Sequence, residues 1–239
     1  MFQEDADTFV HVKGGGTLEA RSLHIDADVI DVDISGKIHA DFKGVAVGEG
    51  AGTNRGGGSY GGRGAKGTVG SNACGYTYGD IYRPMEFGSG GGAATNSSGL
   101  GGGRLHFNVR TLIDDGTISA NGLTGNSNIG AGSGGSIFIQ AESVEGFGDV
   151  DVRSQSLTLQ KVFILKLAWL KMRFFCEQVL GGSSSHQYGG AGGGGRIGVE
   201  WETHTWWFGN FQAFGGSGIS SQHGGSGTVY ITVCTVLYD

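Results

Sequence analysis

A single proline, Pro84, stands against 51 glycines in 239 residues. Collagen is excluded by that ratio, because a triple helix needs abundant proline and a glycine at every third place. Cysteine is scarce: Cys74, Cys176 and Cys234 are odd in number, far apart and without CxxC spacing, so neither a disulfide framework nor a zinc site is indicated. Apolar runs are short, and none approaches the eighteen or so residues of a membrane span. The net charge is −6 with Lys and Arg scattered, so there is no electrostatic footprint for nucleic acid. The start, "MFQEDADTFVHVKGGG", is acidic and lacks the positive flank and apolar core of a secretory signal. On that reading the chain is cytosolic or begins inside a larger one.

Disorder is excluded by what is present. Val, Ile, Phe and Tyr recur at every second position, which a flexible linker would not contain. Four segments align, each preceded by glycines: "RLHFNV" from Arg104, "SIFIQA" from Ser136, "RIGVEW" from Arg196 and "TVYITV" from Thr228. Their second, fourth and sixth residues are all apolar, the period-two pattern of a strand with one buried face. A second marker, a glycine followed by alternating apolar residues, begins at Gly36, Gly116, Gly148 and Gly209.

Spacing organises these pieces. Arg104 to Ser136, Gly116 to Gly148 and Arg196 to Thr228 are each 32 residues apart, whereas Ser136 to Arg196 is 60. The excess falls between Val152 and Arg196, where the basic, Leu- and Phe-rich block 154–181 carries almost no glycine. That block reads as an insertion into one repeat. It is a helix docked on the flank, a basic amphipathic helix for a membrane or partner, or, as favoured here, a retained intron whose removal restores the period.

Repeats too small to bury their own apolar face must stack. The expected fold is therefore all-β: one right-handed parallel β-helix-like solenoid over 1–239, with an antiparallel glycine-rich β-sandwich as the alternative. The glycine runs become corners and excursions, where positive φ and close backbone approach favour a residue without Cβ. The longest excursion is 44–103, with 22 glycines in 60 residues.

Sites are sparse. Asp26, Asp28, Asp31 and Asp33 alternate with apolar residues and offer a carboxylate face for calcium or polysaccharide chemistry, or simply the outward half of a strand. Asp149 and Asp151 flank Val150 in the same way. Tyr78, Asp80, Tyr82, Arg83 and Glu86, with Tyr76 and Phe87 nearby, form an aromatic and charged cluster suited to sugar or protein recognition or to anchoring the long excursion. Trp201, Trp206, Trp207 and Phe208 pose the same question, with Trp201 assigned inward by the repeat. Gly62, Gly64 and Gly67 match GxGxxG, but no helical pattern or ribose-binding acid follows. Seven histidines show no HxH or HExxH spacing and no GxSxG occurs, so no catalytic residue, metal or cofactor is expected. Asn96, in "NSS", is a glycosylation acceptor if the chain is secreted.

The succession "YGDIYRPMEFGSGGG" (from Tyr78), "GGGRLHFNV", "DGTISANG" (from Asp115), "GSGGSIFIQA" and "GGAGGGGRIGVEW" resembles the glycine-rich repeat regions of large extracellular proteins of invertebrates and plants, some labelled ephrin-receptor-like. The resemblance covers roughly Gly36 to Val233 except the inserted block. It implies a fragment of a longer secreted or cell-surface protein, with no known catalysis; the partner is left open, carbohydrate and extracellular protein being the candidates. The expected function is a structural or adhesive module, with a polysaccharide-binding or polysaccharide-cleaving β-helix as the alternative.

Overall fold

A computed structural model describes residues 7–67, 74–93, 99–152, 181–184, 188–202, 206–219 and 222–233. Fourteen strands occur among them: β1 (Phe9–Val12), β2 (Thr17–Glu19), β3 (Ser22–Val32), β4 (Lys37–His39), β5 (Arg104–Asp114), β6 (Thr117–Ser119), β7 (Ser136–Gly146), β8 (Asp149–Asp151), β9 (Gly181–Ser184), β10 (Arg196–Trp201), β11 (Trp206–Trp207), β12 (Asn210–Gln212), β13 (Gly216–Gly218) and β14 (Thr228–Val233). No α-helix is present among the described residues. Every pairing between named strands whose direction is assigned is parallel, so the antiparallel sandwich does not describe this chain. Of the block 154–181 only Gly181 is described, as the first residue of β9; the helix and intron readings lie outside the described residues.

Two parallel sheets carry the architecture. The larger has the order β1-β3-β5-β7-β10-β14, with β11 on β7, and the smaller has β12-β8-β6-β4-β2. Chain order alternates between them, a long strand followed by a tight turn and a three-residue strand. This arrangement is consistent with a β-helix-like solenoid. Arg104, Ser136, Arg196 and Thr228 are register partners in turn. The glycine markers stack as well, since Thr117, Asp149 and Asn210 donate backbone N–H bonds to Gly36, Gly116 and Gly148.

The core lies between the sheets. Leu105, Phe107, Ile137, Ile139, Ile197 and Val199 from the larger sheet meet Ile38, Ile118 and Val150 from the smaller, all fully buried or nearly so. Each such side chain contributes about 1.5–3 kcal/mol by leaving water. Trp201 packs against this core, half-buried, on the side its place in the repeat assigns. The last strand departs from the pattern. Val229, Ile231 and Val233 are 39%, 43% and 53% exposed, because β14 is covered on one side only and no further described coil closes its inner face.

Of the two reasons expected for the glycine runs, close backbone approach and positive φ, the first accounts for them. Positive φ is confined to Gly15, Gly79 and Gly146 among the described glycines, so left-handed corners do not explain their number. Close packing does. The N–H groups of residues 130–135 donate in turn to the carbonyls of Gly92, Gly190, Leu123, Ser89, Gly193 and Ala120. Partners thus recur every third residue, and one extended segment is bonded to three others around its circumference. Residues 190–194 repeat the pattern, with Gly190 and Gly193 donating to Arg55 and Gly58, and Ala191 and Gly194 to Gln222 and Gly225. A three-residue screw is the geometry of polyproline II, here satisfied by neighbours rather than by water. The glycine-rich segments therefore merge into one hydrogen-bonded bundle alongside the sheets.

Candidate functional site

Alternation along the long strands slips once. In β3 the inward residues are Leu23, Ile25 and Ala27 and then Ile30 and Val32; in β5 they are Leu105, Phe107 and Val109 and then Leu112. Pairing is interrupted at the same level, between Ala27 and Val29, Val109 and Thr111, and Ala141 and Ser143. Outer side chains on either side of this step line a cleft of about 460 Å³ that runs across the strands. Asp26, Asn108, Gln140 and Glu200 form one row, in register, and Asp28, Arg110, Glu142 and Glu202 follow two residues on.

The polar groups of the cleft largely answer one another. Asn108 Nδ2 donates to Asp26 Oδ1 at 2.9 Å, and Gln140 Nε2 donates to Glu200 Oε2 at 3.0 Å. Arg110 bridges Asp28 and Asp7. The hydrogen bond from Asn108 holds the Asp26 carboxyl below the usual range. The Thr8 N–H, and then Arg110, do the same for Asp28. Both are therefore ionised acceptors at neutral pH, unsuited to donate a proton.

Asp31 and Asp33 lie beyond the step and do not join Asp26 and Asp28. They meet His11, brought beside Asp31 by the β1–β3 register: His11 Nε2 is 3.0 Å from Asp33 Oδ1 and 3.9 Å from Asp31 Oδ2. The ligand atoms of the three lie within 4.8 Å of one another, a donor set of one imidazole and two carboxylates that could hold a divalent cation. Asp33 already accepts from His11 and from the Gly14 N–H, which together hold its carboxyl below the usual range. Sequence spacing gave no sign of this set, because His11 reaches the aspartates only through strand pairing. Asp149 is exposed and accepts from Asn210 Nδ2 at 3.2 Å, while Asp151 is buried, so they do not form a second carboxylate face.

The Tyr78 to Phe87 segment lies as a strap against the outer side of the larger sheet. Asp80 Oδ1 accepts from the N–H groups of Tyr82 and Arg83, closing a local turn and lowering the Asp80 pKa. Tyr82 packs edge-on against Tyr230 at 4.8 Å, and the carbonyls of Met85 and Glu86 accept from Arg104 and Ser136. Tyr78 donates its hydroxyl to the Phe87 carbonyl at 2.6 Å, and burial pushes its pKa up to about 12. Arg196 Nη2, itself buried, donates to the Tyr78 carbonyl at 2.9 Å. Glu86 Oε2 accepts from the Met85 N–H and lies 3.4 Å from the Tyr60 hydroxyl. Anchoring thus occupies Tyr78, Asp80 and Glu86. Arg83 differs: it is largely exposed and its Nε lies 3.7 Å from Glu200 of the cleft, which brings the strap to the edge of the cleft.

Gly62 and Gly64 belong to the glycine bundle, where a Cβ would strike the Gly225 and Gly57 carbonyls. Trp207 packs against the core, and Phe208 is exposed and stacked on Phe147 at 5.4 Å. Asn96 lies outside the described residues. No helix among the described residues is long and apolar enough to cross a membrane. Comparison with family models, curated proteins and solved structures gave no match.

Proposed function

We propose that the chain is a structural or adhesive module of a secreted or cell-surface protein, and that it winds as a right-handed parallel β-solenoid. Right-handed crossovers between parallel strands are the strong rule, which supports the hand. The observation that carries the functional reading is where the hydrogen-bonding capacity goes. The glycine segments spend theirs on one another, and the cleft carboxylates Asp26 and Asp28 spend theirs on Asn108, Arg110 and the Thr8 N–H. Such a body offers shape and rigidity, with side chains settled in their native pairs rather than poised for reaction. The glycine-rich resemblance to extracellular repeat regions points the same way.

The test pairs two assays on the recombinant chain. Cultured cells should adhere to the immobilised protein, and a panel of acidic and neutral polysaccharides should yield no reducing ends. Absence of adhesion, or sugar release that disappears in Asp28→Asn, overturns the reading. A second reading, polysaccharide binding without cleavage, rests on the cleft beside Asp26, Glu142 and Glu200. It requires glycan-array binding that is lost in Glu200→Gln.

A further inference from the structure

In the cleft, carboxylates are answered from the neighbouring strand: Asp26 by Asn108, Asp28 by Arg110 and Glu200 by Gln140. Asp31, on the far side of the step, is not. Its ladder neighbours are His11 and Ile113, and among the described residues it accepts no hydrogen bond and has only His11 Nε2, at 3.9 Å, within ion-pair distance. Asp33, just past β3, reaches the same ring nitrogen at 3.0 Å. Two carboxylates thus converge on one imidazole nitrogen, and among the described residues neither is ion-paired with a lysine or arginine.

We propose that His11, Asp31 and Asp33 form a zinc site that clamps β1 to β3. The donors come from both sides of the β1–β3 pairing, which spans only four residues, so one ion would join strands that are otherwise held by a short ladder. All three side chains lie in described strands or the turn that follows, and none of the site depends on what lies beyond either end of the chain.

The donor chemistry selects the metal. Calcium takes six to eight oxygens, whereas imidazole nitrogen favours zinc and its transition-metal neighbours, and zinc is satisfied by three protein ligands and a water. With Zn–N and Zn–O bonds of about 2.0–2.1 Å, neighbouring donors of a tetrahedral site stand about 3.3 Å apart. The separations of 3.0 and 3.9 Å from His11 Nε2 bracket that value, and the three ligand atoms all lie within 4.8 Å of one another. Supporting contacts are in place. The Gly14 N–H donates to Asp33 Oδ2 and leaves Oδ1 toward His11, and the Phe9 ring packs edge-on against the His11 ring at 5.9 Å. The side chains of His11, Asp31 and Asp33 are 31%, 27% and 43% exposed, which leaves an ion a path in.

Calorimetric titration of the full chain, expressed without a polyhistidine tag and stripped with EDTA, tests the site with zinc chloride alone. The unsubstituted chain should take up one equivalent at micromolar concentration that His11→Ala and Asp31→Asn each weaken by about a hundredfold or more, since losing even a supporting residue of a metal site costs about 10–100-fold. Calcium should bind more weakly than zinc. Zinc should also slow amide hydrogen exchange in β1 of the unsubstituted chain and not in Asp31→Asn, and circular dichroism in EDTA checks that each variant folds. No zinc uptake at micromolar concentration, uptake that persists in either variant, exchange in β1 that zinc leaves unchanged, or calcium binding as tight as zinc overturns the proposal. Should a variant misfold, paramagnetic cobalt(II) on the unsubstituted chain replaces it: amide signals of residues 11–14 and 31–33 should broaden first, and broadening centred elsewhere overturns the proposal as well.

Discussion

Gly57 and Ala191 come from excursions 134 positions apart in the chain, yet a Cβ on Gly57 would sit 1.9 Å from the Ala191 carbonyl oxygen. The Gly57 N–H is tied to the Ala65 carbonyl, so neither backbone can withdraw without breaking bundle bonds. Gly57→Ala is therefore expected to destabilise the fold by about 3 kcal/mol or more, the upper range of overpacking. Gly15→Ala is the contrast. Gly15 has φ of 77° with open space around it, and only left-handed strain of about 1 kcal/mol opposes the methyl group. Urea unfolding of the two variants, compared with the unsubstituted chain, checks the order.

Burial separates residues that share one place in the repeat. Ile139 and Ile231 are equivalent by register, each aligned with Val199 of β10. Ile139 is fully buried, whereas Ile231 is 43% exposed. Ile139→Ala should cost about 2–5 kcal/mol and Ile231→Ala under about 1 kcal/mol. Urea denaturation of the two variants measures both.

The register was legible because inward residues and corner glycines each carry the 32-residue spacing independently. The step in the long strands was harder to see. In "IDADVIDVDI" the aspartates read as one face, but Ala27 and Ile30 are inward with two residues between them, so Asp26 and Asp28 part from Asp31 and Asp33. The polar pairs Arg110–Thr111 and Glu142–Ser143 were the available signal. The glycine bundle was hidden for a different reason: each segment draws its partners from several excursions, so no window of sequence contains a complete hydrogen-bond set. The exposure of Val229 was equally unreadable, since it depends on whether a further coil covers the strand and not on the strand itself.

Arg196 pins the strap from below. It donates from Nε and Nη2 to the Tyr78 carbonyl at 3.2 and 2.9 Å, from Nη1 to Thr228 Oγ1 at 3.1 Å, and its guanidinium lies 5.5 Å from the Tyr60 ring centroid. Buried hydrogen bonds from a charged group are worth about 1.5–3 kcal/mol each. Arg196→Met keeps the apolar stem and removes the donors, and should free the strap before the sheets unfold. Limited chymotrypsin digestion should then cut after the exposed Tyr82 faster than in the unsubstituted chain. Unchanged cleavage at that site would show that Tyr82 and Pro84 hold the strap without Arg196.

Asp114 is a carboxyl sealed within the turn between β5 and β6, with Oδ1 accepting from the Gly116 N–H at 3.0 Å and Oδ2 unpartnered. Burial pushes its pKa up to about 7, with the nearby Asp149 and Asp115 carboxylates adding to the rise. An unfolded aspartate ionises near pH 3.9, so between roughly 4 and 7 the folded state keeps a proton that the unfolded state has lost. This group's contribution is full below about pH 4 and declines as pH rises toward 7, reaching a loss of about 4 kcal/mol at neutral pH. Asp114→Asn keeps the acceptor for Gly116 and removes the titration. The variant should gain stability at pH 7.5 and match the unsubstituted chain near pH 4. Subtracting the two pH profiles of unfolding free energy cancels the opposite trend from Asp26, Asp28 and Asp33, whose lowered values favour the fold above the ordinary carboxylate range. A flat difference would mean that the Asp114 carboxyl is solvated and ionised in the folded protein.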